Sequence, residues 1–205
     1  MKGAYIFIEM SKNFKDIFQI IINDPILSKN REAENRYGIT DMTLRVAVEA
    51  NILSEEKNRA SDLDNNECIS IYEELYWRNS GCEEMLYPLN LIHFDNVLDS
   101  GISNANKGLQ ITINEIMGYG VIPVNGFIDQ NTKRYLIRLA NTNEDVIQFC
   151  FDYLNIREDY YRNFAKKRIR NRLLLPDKLN RLKTLYNILV EVDTKLDKDK
   201  DEVIS

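Results

Sequence analysis

Three carboxylates stand out for their placement. Asp24 closes an apolar-periodic stretch and directly precedes Pro25, while Glu32 and Glu34 follow in a polar, irregular segment. Hydrolysis of a glycosidic bond needs one carboxylic acid to protonate the leaving oxygen and a second group as base, nucleophile or electrostatic partner. The two carboxyls stand about 5–5.5 Å apart for retention and about 6.5–9.5 Å apart for inversion. A helix end facing a cleft is a suitable place for the acid, because burial there raises a carboxyl's pKa toward neutrality. Asp24, with Glu32 or Glu34 following it, is one set of carboxylates from which such a pair could be drawn. The competing reading makes Asp24 a turn residue, a common use of Asp-Pro. Asp41 is a further carboxylate nearby, although a helix N-cap explains it better. His93, the single histidine, precedes Phe94-Asp95 in an apolar stretch and reads as a packed core residue rather than a base. No Gly-x-Ser-x-Gly nucleophile motif and no phosphate-cradling glycine loop is present.

Tyr76, Trp77 and Tyr87 are the aromatics that could stack on a sugar face, with core anchoring as the alternative for Tyr76 and Trp77. Tyr160 and Tyr161 sit beside a basic stretch and could stack or pack. From Lys166 to Lys183 there are eight basic residues against one acid, Asp177. A solvated helix face accounts for this. A nucleic-acid surface would bind with steep salt dependence, but the net charge of −5 makes nucleic acid an unexpected partner. The same charge gives the chain as a whole no strong attraction to an anionic membrane.

Cys68, Cys82 and Cys150 are odd in number and lack CxxC spacing, so no disulfide framework is expected. Cys82 and Cys150 lie among apolar residues and read as buried thiols. One histidine without paired ligands leaves no structural zinc site, and no cofactor is expected.

The elements that must position these groups are helical. Only 8 glycines and 4 prolines punctuate 205 residues, 44% of them hydrophobic, and apolar residues recur at three- and four-residue spacing. The pattern predicts a helix capped by Ser11 and running to about Asn23, and another from Thr40 or Asp41 to about Ala50. Further helices are expected over 68–77, 88–98, 105–117, 130–139, 144–154 and 159–172. Pro176 should open a last one, through about Lys195, since proline suits a helix's first turn. The charged tail beyond it is expected to fray. Ala4 to Ile8 and Val121 to Val124 could form one short ribbon. The apolar run at the start is too short for a signal-peptide core, and nothing approaches the roughly 20 apolar residues of a membrane span. Synthesis in the cytoplasm is expected, with outside help needed to reach a cell wall.

Gly38-Ile39-Thr40, Tyr76-Trp77, Cys82, Phe94-Asp95, Ser100-Gly101, Leu109-Gln110, Asn125-Gly126, Thr132 and Asn180-Arg181 fall in one order. That order resembles glycoside hydrolase family 108, lysozyme-like proteins of phages and bacteria, with their C-terminal peptidoglycan-binding domain. Asp24-Pro25-Ile26 stands where the family has Glu-Gly-Gly, and Glu32-Ala33-Glu34-Asn35 where it has Gly-Gly-x-Thr, so the resemblance implies Asp24 as the acid with Glu32 or Glu34 as the second carboxylate. The resemblance implies an all-α, lysozyme-like helical fold, a single compact unit with a C-terminal helical subdomain. Residues 1–87 would form the lysozyme-like part, 88–195 the peptidoglycan-binding-like part and 196–205 a charged tail. It further implies N-acetylmuramidase-type hydrolysis of cell-wall glycan strands, or a non-catalytic wall-binding or phage-structural role on the same fold. The implied partners are peptidoglycan and a phage-particle or secretion partner. The implied place of action is the periplasm or cell wall after export or release, or the interior of a phage particle.

Overall fold

The computed structural model describes residues 12–28, 37–54, 57–139 and 143–204. The fold is all-α, with no strand among the described residues. Among the described residues eight α-helices follow one another: α1 (Phe14–Asn23), α2 (Asp41–Glu49), α3 (Asn65–Ile71), α4 (Leu89–Ser100), α5 (Ile102–Met117), α6 (Gln130–Leu139), α7 (Asn143–Lys167) and α8 (Ile169–Ile204). A π-helical segment, Tyr72–Arg78, continues α3, and short 3-10 turns occupy Ala60–Asp62 and Cys82–Glu84.

Helix α1 begins later than the sequence suggested. Its N-cap is Asn13, whose side chain accepts from the Asp16 N–H while Asp16 accepts from the Asn13 N–H, a reciprocal box that satisfies two otherwise orphaned donors. Ser11 lies outside the described residues. The stripe Phe14, Ile17, Phe18 and Ile21 faces inward. Against it lies the π-segment, where i→i+5 bonding brings residues five apart toward one face. Tyr72 therefore meets Phe18 (centroids 5.1 Å apart) and Trp77 meets Phe14 (5.6 Å), and Phe94 of α4 closes the cluster 5.2 Å from Trp77. Thr40 caps α2, as one of the two expected choices, and the Asp41 carboxylate accepts from the Ala60 N–H at 2.7 Å.

Helix α4 is buried on every side from Leu89 to Val97, as befits the central helix of a fold. It packs against α1, the π-segment, α5 and α7. Gly101, at φ +83°, joins α4 to α5 in a conformation that a side chain would strain. The segment 118–129 is irregular where a ribbon over Val121 to Val124 was expected, and Ala4 to Ile8 lies outside the described residues.

A break at Arg168 leaves residues 169–172 to α8, whereas the helices expected over 144–154 and 159–172 are joined through Lys167 as one helix, α7. It stays continuous because Tyr153, Arg157 and Tyr161 form a single inward stripe at four-residue spacing, all buried. Pro176 does not open the last helix but sits inside it. Its ring removes one backbone donor, yet the apolar row Leu175, Leu179, Leu182, Leu185 and Leu189 holds α8 on α7. The two helices run antiparallel, with Tyr161 beside Lys178 and Asn155 bonded to Tyr186. The stretch expected to fray is helical through Ile204. All three cysteines are free and buried, and burial pushes the Cys82 thiol up to about 12.

Candidate functional site

Asp24 sits immediately past the end of α1, where its N–H still bonds to the Ile20 carbonyl. Pro25 cannot continue the helix, and the chain folds into a tight turn around the Asp24 side chain. Oδ1 accepts from the N–H groups of both Ile26 and Leu27 at 2.8 Å. The Asp24 carbonyl accepts from the Ser28 N–H and hydroxyl. One carboxylate oxygen is thus engaged in the turn, while Oδ2 has no partner among the described residues. The side chain is half-buried.

Glu32 and Glu34 lie outside the described residues. Their flanks are anchored to the C-terminal half of α1: Ser28 bonds to Asp24, and Tyr37 stacks on Phe18 at 5.8 Å while its carbonyl accepts from the Tyr72 hydroxyl.

The aromatics fall elsewhere. Trp77 and Tyr87 are buried at the opposite end of α1, with Lys12 Nζ 5.0 Å over the Tyr87 ring. Tyr76 is half-buried against Tyr72. At 1.5 Å per residue, the ten steps from Phe14 to Asp24 separate the two ends by about 15 Å. Trp77 lines an open cleft of about 650 Å³ whose polar rim includes Lys12, Glu73, Glu83, Glu84 and Asn90. Glu73 pairs with Arg78 and Glu84 with Lys133. Glu83 is exposed and has no partner among the described residues. Sequence reasoning did not single out these three glutamates. The available signal was the acidic pair on either side of Tyr76-Trp77, Glu73-Glu74 and Glu83-Glu84. The cleft, lined by Phe14 and Trp77 as well as its polar groups, can receive a polar chain, and the Asp24 turn presents one carboxylate oxygen.

His93 is fully buried and bonded to Asn106 and Tyr153 at 3.0 Å each. Asp41 is engaged as described above. Asp95, also fully buried, takes Arg157 Nη2 on one oxygen at 2.8 Å and Arg181 Nη2 on the other at 2.6 Å. Burial alone would raise its pKa, but the two guanidiniums outweigh that and hold the carboxyl below the usual range. Among the described residues no group of three or more His, Cys, Asp or Glu could hold a metal, and no helix is long and apolar enough to cross a membrane.

The pieces Leu109-Gln110, Asn125-Gly126 and Thr132 converge physically. Gln110 Oε1 accepts from the N–H groups of Asn125 and Gly126, and Nε2 donates to Asn125 Oδ1 and the Phe127 carbonyl, with Thr132 Oγ1 at 3.4 Å. One buried amide thereby clasps the segment that leads into α6.

Residues 28–101 match the family model described as Glycosyl hydrolase 108. The matched range includes Glu32, Glu34, Tyr76, Trp77 and Tyr87, and it begins four residues after Asp24. No curated protein and no solved structure matches the chain.

Proposed function

From the glycosyl hydrolase 108 match of residues 28–101, we propose that this chain is a lysozyme-like hydrolase of peptidoglycan glycan strands, of N-acetylmuramidase type. The match carries the reading, and the all-helical core is of the matching class. Asp24 acts as the acid through its uncommitted oxygen, and Glu32 or Glu34 supplies the second carboxylate. The cleft over Trp77, at the other end of α1, holds a neighbouring part of the strand. The protein works at the cell wall, after export or release or as part of a phage particle.

Asparagine at position 24 offers the same Oδ1 to Ile26 and Leu27 and so keeps the turn, while it cannot deliver a proton. The test is turbidity loss of purified sacculi with wild type, Asp24→Asn and Asp24→Ala. Lysis by the wild type alone supports the assignment, and lysis by Asp24→Asn at the wild-type rate removes Asp24 from the chemistry.

A second reading, a wall-binding or phage-structural protein without turnover, is favoured by one observation: Asp24 already serves the turn and lies outside the matched range. Co-sedimentation with sacculi without turbidity loss would select it.

A further inference from the structure

The corner where α7 passes into α8 is unlike the rest of the surface. A single residue, Arg168, separates the two helices. Between Asp159 and Asp177 there is no acidic residue, and Lys166, Lys167, Arg168, Arg170 and Arg172 crowd the corner itself. None of these five has a carboxylate partner among the described residues, and Lys166 donates only to Asn163. Arg162, one turn earlier, is by contrast paired with Glu158. In a chain of net charge −5, this local cation cluster is not a product of overall composition.

Apolar side chains are interleaved with the cations. Ile169 is 76% exposed and Leu173 is 75% exposed. They lie four apart on α8 and so share a face. Phe164 is exposed beside them on α7, stacked on Tyr160 with centroids 5.9 Å apart. Further along the same hairpin Leu182, Leu185 and Leu189 are buried, although Val190 is exposed, so what sets the corner apart is exposed apolar side chains interleaved with unpaired cations. Asn171 donates to the Phe164 carbonyl and fixes the two helix ends together.

Two classes of polyanion could meet five unpaired cations. A nucleic acid would engage the cations through phosphates and leave Ile169 and Leu173 in water. A lipid surface uses both features: headgroup phosphates meet the cations, and apolar side chains enter the boundary between headgroups and acyl chains. We propose that the α7–α8 corner docks on an anionic bilayer surface, with Ile169 and Leu173 inserted and the five cations on the headgroups. The contact is interfacial, and no helix crosses the bilayer.

The test is flotation of the full chain with vesicles of phosphatidylcholine alone and of phosphatidylcholine mixed with phosphatidylglycerol. The wild type is expected to float with the mixed vesicles and to stay behind with phosphatidylcholine alone. Arg170→Gln and Arg172→Gln should each weaken partitioning about fivefold, the worth of one cation near an anionic surface. The pair Ile169→Asn with Leu173→Asn should weaken it by about tenfold or more, since two large apolar side chains lose their burial. All four positions are exposed, and an unchanged thermal melt shows that the variants remain folded. Absence of flotation with the mixed vesicles overturns the proposal, as does flotation indifferent to the asparagine pair. Binding of duplex DNA without vesicle flotation assigns the corner to nucleic acid and also overturns it. No peptidoglycan enters the assay, so its outcome is independent of the hydrolase reading.

Discussion

A single histidine makes pH a selective probe of this core. His93 is fully buried, and its surroundings hold it neutral. Asn106 turns its Nδ2 to the Gly126 carbonyl, so its Oδ1 must face the ring and accept from Nε2–H. Nδ1 then carries no proton and lies 3.0 Å from the Tyr153 hydroxyl, which also reaches the Ala105 carbonyl at 2.9 Å and accepts from the Asn96 amide. Burial is the main force lowering the pKa, partly opposed by the bonds to Asn106 and the Ser80 backbone and reinforced by Arg157, and the result is about 4. In the unfolded chain the group titrates near its ordinary value of about 6.5. The fold therefore binds fewer protons than the unfolded chain, and stability rises with pH across this window. The contribution is complete above about pH 6.5 and is lost as pH falls toward 4, in total about 3 kcal/mol at ~1.4 kcal/mol per pH unit. Between pH 7 and 5 the loss is about 2 kcal/mol, a window in which most carboxylates stay ionised and the α-amino group stays protonated. For a chain of this size that is roughly a 4–8 °C fall in Tm. Thermal melts at a series of pH values, for wild type and His93→Gln, measure it. His93→Gln should be less stable at pH 7 and nearly flat between 7 and 5. A wild-type curve already flat in that window, or two curves of equal slope, would refute the reasoning.

Other substitutions probe the remaining contacts. Asp95→Asn removes the counter-charge of two buried guanidiniums and should cost about 3–5 kcal/mol, a Tm loss of roughly 6–20 °C. Because the Asp95 carboxyl is held below the usual range, its contribution is present above the ordinary carboxylate pKa and is lost only as pH falls further, outside the His93 window. Gln110→Ala leaves the Asn125 and Gly126 N–H groups without their acceptor and should cost about 3 kcal/mol in a denaturant melt; a loss below about 1 kcal/mol would count against the clasp. Asp24→Asn should melt with the wild type, whereas Asp24→Ala should lose about 1 kcal/mol with the turn's two bonds.

Helical spacing made the fold class legible, and the bounds of 130–139 agree with α6. What the sequence hid was long-range. The division expected between 154 and 159 is absent because Arg157 lies under Asp95, sixty-two residues away in the chain, and holds that turn helical. Pro176 carries a strong local signal for a helix start, but the leucine row packed on α7 overrides it. The short pieces that resemble the family mark contacts rather than chemistry: Asp95 pairs with Arg181, Phe94 packs on Trp77, and Gln110 binds Asn125 and Gly126. The carboxylate before Pro25 was visible from its neighbours alone. The cleft glutamates were not, because α1, the π-segment and the Cys82–Glu84 turn meet only in the folded chain.

The proposed function is cleavage of glycan strands after N-acetylmuramic acid, with Asp24 taking part. The most direct measurement is chemical: digest purified sacculi with wild type and Asp24→Asn, reduce the products, and identify the sugar at each new reducing end by mass spectrometry. Reduced N-acetylmuramic acid released by the wild type and absent with Asp24→Asn is the expected result. Intact strands after wild-type digestion would contradict the claim of hydrolysis. N-acetylglucosamine at the new ends would contradict the bond assignment, and equal release by Asp24→Asn the role of Asp24.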